Sequence, residues 1–459
     1  MDWLIDHLAV IMFVALVFIM FLGYPVAFLL GAVGVGFGLL GSVSGTFSLT
    51  QFATLLPRIF GQAVQNPVLV AVPMFIFMGT MLERSGIAED LLRILQLMLR
   101  RIPGGLAIAV TVLGTIMAAT TGIVGASVIM LSLIALPVML STGYNKALAV
   151  GTIASAGTLG ILIPPSIMLV IMGDLIGIPV GTLFTGAILP GLLLSLLYVV
   201  FLLLACWLMP SLAPRLTGAL SDQDERLTVR MLVKGFLPPT ILVMLVLGSI
   251  FGGWATPTEA AGVGALGAIL LSMANRRFSM KTLREVMTAS ALTNALVFFI
   301  VFGATLFAYV FRALGGDDVV VELLNAMGID SAWEVMIFVM ALVFFMGFFF
   351  DWIEICLIVI PIFAPIVAKL DFGTFIEGKP LVLAWFAILL SVNMQTAFLT
   401  PPFGFALFYL KGVVPPSVTM GDIYRGIMPF VLVQLVALAL LMIYPEIVLY
   451  LPRHFGFLD

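Results

Sequence analysis

Residues 8–40 contain no acidic or basic side chain, a stretch of 33 positions (40 − 8 + 1) that is apolar almost throughout. A membrane span needs about 20 residues, so this run is too long for one span and short for two. Gly23-Tyr24-Pro25 divides it near the middle. It reads as two helices, about 3–22 and 25–42, joined by a tight turn. Similar runs recur down the chain. Acidic and basic residues together number 43 of 459 (20 + 23), whereas a soluble domain is roughly one quarter charged. A solvated surface for a body this large cannot be built from so few charges. The solvent for most of the chain is therefore a lipid bilayer, and an ordinary soluble enzyme is excluded. A transmembrane β-barrel alternates apolar and polar residues over about 10 positions; the runs here are continuous and longer. The sequence predicts an all-α polytopic membrane protein, since helices satisfy every backbone group internally.

Other features are soon placed. No basic tract points to nucleic acid. Cys206 and Cys356 lie in apolar runs with no metal-binding spacing and read as buried free thiols. The first run lacks a basic leader and a small-residue cleavage site, so it reads as a retained span. HExxH, P-loop and GxSxG motifs are missing from the sequence. The chain is expected not to be an enzyme or a primary pump, and to need no cofactor beyond a coupling ion.

Along the chain, residues 47–65 read as interfacial, and a third span as about Pro67 to Leu82. In 88–101, Glu89, Arg93, Gln96 and Arg100 fall on one stripe and Leu92, Leu95 and Leu99 on the other, the pattern of an amphipathic helix on the membrane surface. The apolar stretch 104–141 is interrupted by Thr120-Thr121-Gly122-Ile123-Val124-Gly125-Ala126-Ser127. Two flanking helices of about 14 residues are each too short to span, which predicts a re-entrant hairpin with its tip at 120–127. A broken span follows, interrupted at Gly157-Thr158 and Pro164-Pro165-Ser166, where proline removes backbone donors. A span at 183–209 and a polar linker at 210–235 complete this half. The second half predicts spans at 236–252, 257–274 and 290–311, then an acidic connection holding Asp317, Asp318 and Glu322. A second hairpin runs over 332–368, broken from Gly347 to Glu354. A second broken span runs over 382–411, with Thr400-Pro401-Pro402 inside it, and a last span over 422–450.

The halves share landmarks: Pro25 with Pro257, Pro137 with Pro361, and Pro164-Pro165 with Pro401-Pro402, at offsets of 232, 224 and 237. Each half crosses five times, and an odd number inverts the second half in the membrane. About ten spans plus two hairpins in an inverted repeat, with breaks in matching places, is the pattern of secondary transporters. With the N-terminus outside, Arg58, Arg312, Lys369, Lys379 and Arg453 fall outside, and the other 15 of the 20 basic residues (20 − 5) fall inside, as the positive-inside rule requires. Both termini are then expected in the periplasm.

The breaks nominate the site. Half-helix N-termini attract anions, while unwound carbonyls and hydroxyls coordinate Na⁺. The expected Na⁺ ligands are Thr120, Thr121, Gly122, Ser127, Gly157, Thr158, Gly347, Asp351, Thr396 and Thr400. The expected substrate contacts are Gly125, Ser127, Pro164, Pro165, Ser166, Glu354, Asn393, Gln395, Pro401 and Pro402. Asp351 and Glu354 stand out because ionisable groups at membrane depth are costly and usually functional; they suit cation or polar-substrate coordination or a proton relay, the other reading being a hairpin tip that reaches outside water and leaves both solvated. Thr256-Pro257-Thr258-Glu259 reads instead as a structural capping box. No Lys or Arg falls inside an expected span core, so a transported carboxylate meets helix ends, amides and hydroxyls.

Five stretches resemble a known family: residues 73–86 (PMFIFMGTMLERSG), 151–166 (GTIASAGTLGILIPPS), 255–261 (ATPTEAA), 347–365 (GFFFDWIEICLIVIPIFAP) and 400–404 (TPPFG). They are similar to the large membrane subunit of tripartite ATP-independent periplasmic (TRAP) transporters. The resemblance implies an elevator-type, Na⁺-coupled importer of a small organic acid across the bacterial inner membrane. It also implies a small four-helix membrane subunit and a periplasmic substrate-binding protein as partners. No extra four-span segment is visible, so the small subunit is expected as a separate chain. The first hairpin departs from the family's usual Ser-Gly-Ser-Ser. The Asp351-to-Glu354 run resembles a subgroup feature and implies keto or hydroxy acids. The expected division is scaffold 1–104, transport domain 105–209, cytoplasmic linker 210–235, scaffold 236–331 and transport domain 332–459. The alternative is a stand-alone proton-coupled organic anion symporter or exchanger, with Glu354 as proton carrier.

Overall fold

A computed structural model describes residues 7–121, 124–214, 235–401 and 404–458, with backbone alone for 118–121. Gly122, Pro402, residues 215–234 of the linker and the four basic residues within it lie outside the described residues. Those described form helices and turns, with no strand. The first half begins with α1 (Leu8–Met20), α2 (Val26–Ser44), the short α3 (Leu49–Ala53) and α4 (Leu55–Ile59), α5 (Ala71–Arg84) and α6 (Ile87–Leu99). The first hairpin is α7 (Gly105–Thr121) and α8 (Val124–Ser141). The broken span is α9 (Lys146–Thr158) and α10 (Ile167–Ile176), followed by α11 (Val180–Leu208). The second half repeats this order: α12 (Leu237–Phe251), α13 (Pro257–Ala274), α14 (Met280–Ala313), α15 (Gly316–Ala326), a hairpin of α16 (Ala332–Met346) and α17 (Trp352–Val367), and a broken span of α18 (Lys379–Leu399) and α19 (Phe405–Val413). It closes with α20 (Met420–Ile443) and α21 (Glu446–His454).

Seven of the described helices are long and apolar enough to cross a membrane; shorter apolar helices include α1, α10 and α12. The packing obeys the repeat. Helix α2 packs along α14, and its repeat mate α13 packs along α5, the mate of α14. Likewise α10 packs on α17, and α19 packs on α8. Each break therefore lies against the hairpin of the other half. Contacts near helix ends join Arg84 to Glu285 at 3.8 Å and Arg277 to Asp90 at 4.0 Å, and Thr258 donates to the Pro67 carbonyl at 2.9 Å. Cys206 and Cys356 are free and buried.

Several boundaries differ from expectation. The first hairpin's arms are 17 and 18 residues, not 14. Small hydroxylic residues do not break a helix when their side chains bond back to its carbonyls, as Thr115 does to Thr111 at 2.8 Å and Ser132 to Val128 at 2.6 Å. Gly125 and Ser127 thus belong to the first turn of α8. Helix α5 starts at Ala71 rather than Pro67, because Asn66 Oδ1 accepts the Val68 N–H at 3.0 Å and holds a turn there. Helix α6 is amphipathic as expected, but Leu91, Leu92 and Leu95 are buried in protein, with the helix lying on α7. The acidic connection is the helix α15, with Asp317 and Asp318 in its first turn, where the helix dipole favours them, and Glu322 beyond it. The span expected at 290–311 begins at Met280. The last span ends at Ile443, where Tyr444-Pro445 separates it from α21.

The tightest crossing joins the broken span to α20. A Cβ added at Gly151 would lie 2.1 Å from the Gly426 carbonyl oxygen, and one at Gly426 would lie 2.0 Å from that of Ala147. Gly262 has nothing within 4 Å. Gly151→Ala is therefore expected to lower stability by about 1–3 kcal/mol through forced separation of the helices, while Gly262→Ala leaves the melting temperature unchanged or raised. Thermal melts of the detergent-solubilised protein check both.

Candidate functional site

Both broken spans stop midway for the same reason. Pro164 and Pro165 cannot donate to carbonyls four residues back, and the helix tightens over Leu159–Ile161 and then opens before α10. The carbonyl of Ile161, deprived of its donor by Pro165, accepts the Ser166 hydroxyl. Pro401 plays the same part after α18, which ends at Leu399 with Thr400 in an extended conformation. Helix ends thus face one another inside the protein. The C-termini of α9, α16 and α18 present carbonyls, and the N-termini of α8, α10 and α19 present N–H groups. Carbonyl ends attract cations and N-termini attract anions, so one junction can hold both.

Glycine lets these ends approach. A Cβ at Gly157 would lie 2.5 Å from a Val128 methyl, one at Gly347 would lie 2.3 Å from the Ala397 Cβ, and one at Gly125 would lie 2.8 Å from the Tyr409 ring. The first two contacts each join a hairpin to the broken span of its own half. The two breaks are tied directly. Gln395 Nε2 donates to the Thr158 carbonyl at 2.6 Å, across the halves, leaving Gln395 Oε1 buried without a partner. Ser155 Oγ, one turn back in α9, is likewise buried and unpartnered. Asn393 is turned away and donates to the Met340 carbonyl at 2.6 Å in α16. The hydroxyls of Thr158, Thr396 and Thr400 donate to carbonyls of their own helices at 2.9, 3.1 and 2.8 Å, which leaves oxygen lone pairs for a ligand. Ser127 is buried in the first turn of α8. The side chains of Thr120 and Thr121, like Gly122 and Pro402, lie outside the described residues.

Asp351 and Glu354 meet at the start of the second arm of the second hairpin. Asp351 is the N-cap of α17 and Glu354 its N3 residue, in a reciprocal capping box. Asp351 Oδ1 accepts the Trp352 N–H at 2.8 Å, and Glu354 Oε2 accepts the Asp351 N–H at 3.2 Å. The N-terminus of the second hairpin's inner arm is thus already met by the chain's own carboxylates. Thr256 and Glu259 form the expected box on α13; Ser331 with Glu334 and Thr419 with Asp422 form two more. Tyr409, not singled out by sequence, sits on Gly125 of the first hairpin and within electrostatic reach of Asp351 and Glu354 on the second. Apart from Lys411 it is the one polar side chain in the α19 sequence FALFYLKGV.

Residues 105–141, 147–176, 332–368 and 380–410 contain no Lys or Arg. The two carboxylates at the second tip therefore meet no basic side chain from either hairpin; the broken spans carry Lys146, Lys379 and Lys411 only at their outer ends. Asn is as good an N-cap as Asp. Asp351→Asn is expected to melt like the wild type, whereas Asp351→Ala lowers stability by about 1 kcal/mol; calorimetry or dye melts separate capping from charge.

Comparison with known proteins gives the arrangement a family. The family model described as "Tripartite ATP-independent periplasmic transporter, DctM component" matches residues 13–447. The C4-dicarboxylate TRAP transporter large permease of Pseudomonas aeruginosa is 30% identical over 89% of this chain and 92% of its own length. The ectoine TRAP transporter large permease of Halomonas elongata is 27% identical over 96% and 98%. Among solved structures, the Alcanivorax borkumensis YdaH transporter superposes with a TM-score of 0.58 at 17% identity, covering 88% of each chain, a likeness of fold.

Proposed function

The chain belongs to the DctM component family of the tripartite ATP-independent periplasmic transporters, and from that premise we propose that it is the large permease of a Na⁺-coupled importer of a small organic acid anion. As a TRAP large permease it is a polytopic protein of the bacterial inner membrane. Its substrate arrives from a periplasmic binding protein, and a small four-helix membrane subunit completes the complex. Both termini face the periplasm. The group of helices built from both hairpins, both broken spans, α11, α20 and α21 carries the substrate, in an elevator movement against a scaffold of α1–α6 and α12–α15.

The observation that carries this reading is the junction of two mirrored breaks, tied by Gln395 to Thr158, with two carboxylates capping the second hairpin tip and no basic residue in either hairpin. An organic anion entering there meets negative charge without a counter-charge from the protein. Cations bound at the carbonyl ends of α9, α16 and α18 offset both. Relatives carrying C4-dicarboxylates and ectoine leave the acid itself open, and they agree with a substrate of that size class.

Melting curves of the purified complex in NaCl and in equimolar KCl test sodium coupling without knowledge of the substrate. A site filled at a hundredfold excess over its dissociation constant stabilises by about 2.7 kcal/mol. A saturable rise in sodium alone is the expected result; coincident curves would overturn sodium coupling. In proteoliposomes, Asp351→Asn is expected to lower sodium-driven uptake by about tenfold or more, since about 1.4 kcal/mol of lost site energy is already that factor. Wild-type uptake in that variant would remove Asp351 from the mechanism.

A further inference from the structure

Two polar contacts cross between the helix groups at the same end of the molecule, on the side assigned to the periplasm. Asn66, in the turn before α5, donates Nδ2 to Asp174 Oδ1 in α10 at 2.6 Å. Its own Oδ1 accepts the Val68 N–H at 3.0 Å, so the amide is oriented from both sides. Arg312, in the last turn of α14, donates to the carbonyl of Pro361 in α17. That carbonyl is open to it for a definite reason. Residue 365 is also proline and has no N–H to return to position 361. A helical carbonyl without its i+4 donor needs another partner, and the guanidinium meets it from the other helix group. Asp317, at 3.9 Å, holds the same guanidinium from the scaffold side. Both contacts border a cavity of about 330 Å³ that lies in the seam and takes in Gln62 and Thr305. Among the described residues the seam also holds apolar ring contacts: Phe75 packs on Phe184 at 6.2 Å and Phe21 on Phe349 at 5.3 Å. Such contacts slide without losing hydrogen bonds, so the two polar contacts supply directionality that these rings do not.

We propose that Asn66–Asp174 and Arg312–Pro361 form a latch that holds the two helix groups in this arrangement and must open before the substrate-carrying group can move. This rests on the elevator reading of the preceding section. Asn66, Asp174 and Arg312 are then positioning residues: they set the balance between states without touching the transported acid. The cavity between them admits the water that takes over their hydrogen bonds when they part. Proline at 365 is the element that makes the second contact possible, so the latch is adjustable from a position that neither charged partner occupies.

The test uses the complete complex in liposomes, with nitroxide labels on Glu322→Cys in α15 and Glu377→Cys before α18, both exposed. Pulsed electron resonance reads the distance between the two groups as a distribution. In the otherwise wild-type complex two distances are expected, one of them that of this structure. Asn66→Ala and Arg312→Gln are each expected to reduce the population at that distance by about three- to tenfold, the worth of one net hydrogen bond. Pro365→Ala restores an N–H to the Pro361 carbonyl and is expected to shift the population the same way while leaving Arg312 in place. Two wild-type distances whose proportions none of the three variants alters would overturn the latch and leave the moving-group reading intact. A single distance in sodium and potassium, with and without the binding protein, would overturn both. A merely structural role would lower the melting temperature without changing these proportions.

Discussion

A helix that stops halfway through a bilayer leaves backbone groups that water cannot reach. Everything distinctive here follows from where those groups find partners. Proline pairs create two such stops, and hairpins supply two more sets of ends. The ends are brought together by glycines at 157 and 347, which allow each hairpin to touch its neighbouring broken span at backbone distance. One is bridged outright by the Gln395 amide on the Thr158 carbonyl. Others are capped by the chain's own side chains, as at Asp351 and Glu354. What is left over includes buried, unpartnered oxygens at Gln395 and Ser155, the groups on which the proposed ion site draws.

The inverted repeat turns one such arrangement into two that face each other. The first half's broken span packs on the second half's hairpin and the reverse, so neither junction is complete without the other half. The crossing of α2 with α14 and of α13 with α5 repeats the same exchange in the remaining helices. Contacts that break the symmetry are informative for that reason. Arg312 on the Pro361 carbonyl and Asn66 on Asp174 belong to the seam, not to either junction.

Much of this was legible in the sequence because prolines, charge gaps and runs of small residues are local signals. Pro164-Pro165 and Pro401-Pro402 mark both breaks within a residue or two. The amphipathic stripe of 88–101 is a helix, as its spacing requires. Helix α15 escaped because Asp317 and Asp318 read as a polar connection, although acids in a first turn are a helix-start signal. The capping role of Asp351 and Glu354 was equally open to the reasoning applied to Thr256 and Glu259; their charge at membrane depth drew the reading toward ligation instead. Tyr409 on Gly125 and Gln395 on Thr158 join residues 284 and 237 positions apart, and no local pattern carries such a pairing.

The central claim is that the junction of the two breaks binds sodium ions. Equilibrium binding of radioactive sodium to the purified complex, counted with and without excess potassium, addresses it directly. The account predicts saturable binding that unlabelled sodium displaces and potassium does not, and that falls when Gln395 is replaced by Ala. Sodium uptake that is absent, non-saturable or equally displaced by potassium would contradict it.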